Sequence, residues 1–145
     1  MNEANSKYAR VDSEVEKLAQ IVVDAAFKLH STLGPGLLEG VYEAFLSHEL
    51  RLRGLKVEKQ VLLPLTYEGM TLDAGLRLDL LVEDRLVVEL KAVEALLKVH
   101  QAQLKTYLKL SGHPLGLLIN FNVPLIKDGI ERVILTEKLS STSQS

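Results

Sequence analysis

Asp79, Glu89 and Lys91 stand in two runs, LRLDLLV (76–82) and LVVELKAV (86–93), that read as strands joined by a short turn. Side chains alternate faces along a strand, so Leu78, Leu80 and Val82 share one face and Arg77, Asp79 and Leu81 the other. In the second run Leu86, Val88 and Leu90 face away from Val87, Glu89 and Lys91. A hairpin that buries both apolar faces together sets Val82 opposite Leu86 and Leu80 opposite Val88, with Glu83-Asp84-Arg85 as its loop. That register brings Asp79 opposite Glu89, with Cβ atoms roughly 4.5 to 5.5 Å apart. Two opposed carboxylates repel, and a divalent cation between them relieves the repulsion. Carboxylate oxygens are the ligands that hard ions such as magnesium or manganese prefer. Lys91 is then placed to orient an attacking water or to offset charge developing on a phosphoryl oxygen. The plain alternative is a solvated sheet face on which Glu89 pairs with Lys91 or Arg77. Leu81 and Val87 suit an open face poorly, so a helix is expected to cover it and leave half-buried charges that need partners.

The elements that must position these groups are legible in outline. Asp12 and Ser13 are good N-caps for a helix whose apolar residues, Val15, Leu18, Ile21, Val22, Ala25, Ala26 and Leu29, recur at helical spacing until Gly34-Pro35. A second helix is expected over 37–53, with Gly54 as its stop. It carries Glu39 and Tyr42, three apart and so on one face. Taken alone, Glu39 reads as a first-turn acid favoured by the helix dipole. A strand follows over 57–67, a turn at Glu68-Gly69, and then the two runs above. A third helix over 95–110 carries Gln103 and Tyr107 one turn apart, and taken alone these read as a polar surface stripe. LGLLINF (115–121) reads as a buried strand, and 130–135 as a last strand or helix. Residues 1–11 and 138–145 are too polar to be held against a core and are expected to be flexible, leaving one domain over 12–137.

With 145 residues, 47% hydrophobic and 25% charged, the chain has the size and apolar content of one compact domain. No apolar run is long enough to span a bilayer, and the start lacks the layout of a secretory signal, so a cytoplasmic protein is expected. Cysteine is absent, which excludes disulfides, thiolate metal sites and a cysteine nucleophile. The histidines, His30, His48, His100 and His113, lack ligand spacing; core or surface roles are expected, with His100 one turn before Gln103 able to border the site. A net charge of -2 advertises no broad polyanion-binding surface, so a phosphate ligand would need a bridging cation or a local cluster. Lys98, Lys105 and Lys109 on the third helix, and Arg51, Arg53, Lys56 and Lys59 after the second, are the candidates for such a cluster.

Asp79, then nine residues, then Glu89-Leu90-Lys91, taken with Gly36-x-x-Glu39-x-x-Tyr42 and with Gln103-x-x-x-Tyr107 ahead of LGLLINF, resembles the GxxExxY protein family of the PD-(D/E)XK nuclease superfamily. Leu78 stands where the superfamily's name puts proline. The resemblance implies an α/β (α+β) fold with a restriction-endonuclease-like core, a central mixed sheet flanked by helices in the order ααβββαββ. It implies that Asp79 and Glu89 hold Mg2+ or Mn2+, with the Leu90 carbonyl and Glu39 as further ligands. Lys91 would be the catalytic lysine, and Gln103, Tyr107 and Tyr42 would face substrate. The implied activity is endo- or exonucleolytic hydrolysis of phosphodiester bonds, with DNA as the default substrate and a homodimer compatible with it. Two readings compete: a non-catalytic module that keeps the fold to bind nucleic acid or protein, and a phosphoesterase acting on small nucleotides.

Overall fold

The computed structural model describes residues 11–135. The expected flexible ends, 1–11 and 138–145, fall outside them except for Val11.

Helix α1 (Ser13–Leu33) starts where Asp12 accepts a hydrogen bond from the Val15 N–H at 3.0 Å, and it stops at Gly34, whose φ of 73° is left-handed. Its apolar stripe, from Val15 to Ala26, is buried as the spacing predicts. Helix α2 (Glu39–Leu52) follows a short loop and ends ahead of Gly54, again at positive φ. Strands β1 (Val57–Tyr67) and β2 (Met70–Val82) form a long hairpin, and β3 (Leu86–Lys91) returns beside β2. Glu83 and Asp84 both lie at positive φ, and the Arg85 N–H bonds to the Val82 carbonyl at 3.0 Å, which makes the tight turn the register requires. Helix α3 (Lys98–Ser111) carries the chain across to β4 (Leu115–Asn120), parallel to β3. One turn of 3-10 helix precedes β5 (Ile130–Ile134), so the last segment is a strand.

The sheet runs β1-β2-β3-β4-β5, antiparallel except for the β3–β4 pair. This is the mixed sheet flanked by helices that a restriction-endonuclease-like core calls for. On one side α1 and α2 bury Val22, Leu46 and Leu50 against Leu80, Val82, Leu86, Val88 and Leu90. On the other, Leu104 and Leu108 of α3 cover Leu76, Leu78, Leu81, Val87 and Leu118. Each such fully buried side chain contributes on the order of 2 kcal/mol. The cover expected over Leu81 and Val87 is therefore α3.

Several boundaries differ from the sequence reading. Strand β2 begins at Met70, six residues before the expected start, because its first half pairs with β1 alone and exposes both faces. Strand β3 stops at Lys91, since Asn120 captures the backbone of Val93 through bonds of 3.0 Å to its N–H and 2.9 Å to its carbonyl. The hairpin register is the expected one, with Leu80 opposite Val88 and Val82 opposite Leu86. The expected shared face of Leu78, Leu80 and Val82 is not found. Leu80 and Val82 pack toward α1 and α2, whereas Leu78 packs under α3. The strand changes face at Asp79. Across from it in β1, Gln60 has φ 52°, and the pairing passes from Lys59–Leu80 to Val61–Leu78 without joining the residues between.

Candidate active site

The change of face gives the acids their geometry. The β2–β3 ladder ends at the Leu80–Val88 pair, and beyond it side chains take over the backbone's hydrogen bonds. The Asp79 N–H donates to Glu89 Oε2 at 2.9 Å, and the Leu90 N–H donates to Asp79 Oδ2 at 2.9 Å. Each carboxylate is thus pinned by the other strand's backbone through one oxygen. Glu89 is 5% exposed. Burial pushes its carboxyl up to about 8, and the charge of Asp79 and a hydrogen bond between the two carboxyls push the same way. The Asp79 N–H and Lys91 oppose the rise without cancelling it. Glu89 therefore keeps its proton to higher pH than an ordinary carboxyl.

Lys91 is half-buried, its backbone carbonyl bonded to the Phe121 N–H at 3.0 Å, and its ammonium acts electrostatically on both Glu89 and Glu39. Glu39 opens α2. Its carboxyl is raised first by partial burial and next by Asp79, then by Glu43, with Lys91 and Arg77 opposing, so it shares the field of the strand acids. Tyr107, half-buried on α3, has its phenol raised by burial and by the charges of Glu89 and Asp79. Gln103 is exposed one turn earlier on the same helical face. Leu90 is fully buried and paired with Ile119 of β4. The structure therefore brings Asp79, Glu89, Lys91, Glu39 and Tyr107 into one electrostatic neighbourhood.

Tyr42 does not join them. It is fully buried and stacked on Phe121, with ring centroids 4.5 Å apart and planes within 9°. Its hydroxyl donates to the Gly34 carbonyl at 2.7 Å and accepts from the Leu37 N–H at 3.1 Å. A spacing of three leaves two side chains about 60° apart around a helix, enough for Glu39 to sit at the rim of the core stripe and Tyr42 inside it. The Gly36-x-x-Glu39-x-x-Tyr42 run is a clamp: Gly36 supplies φ 100°, Tyr42 bolts the loop shut, and Glu39 is delivered at the first turn of α2.

The donor set suits a hard divalent ion. Asp79 and Glu89 offer carboxylate oxygens from neighbouring strands, and the Glu89 carboxyl is raised first by burial and then by the charge of Asp79. Among the described residues, however, no three acidic or histidine side chains lie close enough together to make a ready metal cage. Glu39, expected as a ligand, does not complete such a cage with the pair. The expected basic cluster is also partly spent elsewhere. Arg53 is paired with Glu49 and Asp24, Lys56 with Asp84, and Arg51 bonds to the Val57 carbonyl. Lys59, Lys98 and Lys105 are exposed. His100 accepts from the Leu97 N–H at the start of α3 at 3.0 Å, and His30 is a core residue bonded to the Val123 carbonyl at 2.8 Å. Gln60 and Glu43 went unnoticed in the sequence. The Gln60 amide bonds to Glu43 and reaches Asp79 Oδ1 at 3.5 Å, a contact that no spacing rule connects.

No curated protein matches. A solved structure described as "Crystal structure of SSO0001" aligns at 23% identity and a TM-score of 0.41, covering 90% of this chain and 57% of that one. The present chain thus spans little more than half the length of that protein. Residues 16–133 match the PD-(D/E)XK nuclease superfamily, a stretch that takes in every element carrying the acids and the lysine. With the strand acids, the lysine two residues on and the mixed sheet all inside that match, the chain belongs to the PD-(D/E)XK nuclease superfamily.

Proposed function

We propose that the protein is a metal-dependent nuclease of the GxxExxY group, hydrolysing phosphodiester bonds in nucleic acid, with DNA as its substrate. The observation that carries this reading is the Asp79–Glu89 pair, pinned across two strands by backbone N–H groups with Glu89 buried and its carboxyl raised to about 8. Members of the superfamily typically use divalent ions. Magnesium or manganese on Asp79 and Glu89, with the Leu90 carbonyl beside them, would supply an acidified water and a countercharge for the scissile phosphate. Lys91 acts in the same space, holding the incoming water and donating to the phosphoryl oxygen as its charge grows. Glu39, carrying a raised carboxyl at the rim, is suited to take up a proton there or to orient a second water. Tyr107 and Gln103 present hydroxyl and amide donors from α3 to the substrate's backbone.

The test is incubation with labelled single- and double-stranded DNA and RNA in magnesium or manganese. Cleavage is expected for the parent chain, and a loss of at least about a hundredfold for Asp79→Asn and Lys91→Ala. Undiminished cleavage by either variant overturns the assignment.

A further inference from the structure

We infer that Gln60 is a positioning residue for this site, fixing Asp79 and tying Glu43 of α2 to it. The inference rests on the reading of Asp79 and Glu89 as the working carboxylates, and three independent observations carry it. First, Gln60 is a non-glycine residue held at φ 52° within a strand, a conformation that L side chains adopt at a cost and that clusters at functional sites. Second, that conformation falls where β1 and β2 skip a pair and β2 changes face, the point from which Asp79 leaves the ladder toward β3. Third, the amide is used. Its Nε2 donates to Glu43 on α2 and approaches Asp79 Oδ1 at 3.5 Å.

These contacts complete a chain of support. Asp79 Oδ2 is held by the Leu90 N–H of β3 and Asp79 Oδ1 is approached by Gln60, so both oxygens are oriented from opposite sides. Glu43 lies one turn after Glu39, so the same amide tethers the helix that presents Glu39. A neutral donor suits this place. It steadies two carboxylates without contributing the positive charge that would compete with a divalent ion, as residues behind metal ligands commonly do.

Two variants separate the amide from the strain. Gln60→Gly removes the amide and relieves the backbone, because glycine accepts positive φ freely, so it should melt no lower than the parent. Gln60→Ala removes the same amide but keeps the strain, so it should melt lower. Both should lose Asp79 positioning alike. Hydrogen exchange of the metal-free protein reads this at the Leu90 amide, expected to exchange about tenfold faster in both variants while Leu80 and Val88 in the intact ladder keep their rates. Calorimetric titration with manganese chloride should show affinity about tenfold weaker in both. Unchanged Leu90 exchange in Gln60→Gly overturns the inference, whatever the metal data show. A parent that binds no manganese, with Leu90 exchange still accelerated in the variants, supports the positioning role and sinks the nuclease reading instead.

Discussion

Asp79 has a structural job and a proposed catalytic one, and substitution can pull them apart. Its Oδ2 accepts the Leu90 N–H where the ladder has run out, so Asp79→Ala leaves a buried donor unpaired, at about 1 to 3 kcal/mol. Asp79→Asn keeps an oxygen for that bond and removes only the charge. Urea denaturation should find the alanine variant destabilised by that amount and the asparagine variant close to the parent, while both lose cleavage. Equal stability of the two would show that the Leu90 bond contributes nothing. The approach of Asp79 to Glu89 was readable from the sequence because the apolar residues admit one register, Leu80 opposite Val88 and Val82 opposite Leu86, which leads to it; the break in alternation at Asp79 itself was not readable. Gln60 was not readable, since an exposed glutamine inside a strand announces nothing until its backbone is seen to be left-handed. Tyr42 was misread because a spacing of three on a helix fixes a neighbourhood, and only packing decides which side chain of such a pair enters the core.

At the level of elements, the loop between α1 and α2 determines where Glu39 stands. Tyr42→Phe keeps the stacking on Phe121 and deletes both bonds of the hydroxyl, leaving the Gly34 carbonyl without its donor and the Leu37 N–H without its acceptor. The expected cost is about 1 to 3 kcal/mol by chemical denaturation, with cleavage reduced because the first turn of α2 is no longer anchored. A variant as stable as the parent would remove the clamp from the account. The first two helices were legible from caps and periodicity: Asp12, Gly34 and Gly54 all stand where α1 and α2 begin or end. The long first half of β2 was not, because Met70 to Gly75 have both faces exposed and so carry no alternation to read.

For the whole molecule, the buried acid couples folding to pH and to metal. Glu89 rises from the ordinary 4.5 to about 8 on folding, so between those values the folded chain holds a proton that the unfolded chain has released. Stability of the metal-free protein should therefore fall as pH rises from about 5 to 8, and Glu89→Gln should flatten that slope. Binding of a divalent ion must expel the same proton, so affinity for manganese should rise by up to about tenfold per pH unit toward pH 8 and then level off. Melting curves with and without manganese across this range check both signs, and a stability that climbs with pH in the metal-free protein would contradict the burial of Glu89. Among the described residues no helix is long and apolar enough to cross a membrane. The fold's dependence on its acids reaches beyond any one reaction. Any relative of this chain, cutting or not, would still have to cap the amides of Asp79 and Leu90 where the ladder ends, so acids or their amides at 79 and 89 would persist where the lysine at 91 is free to change.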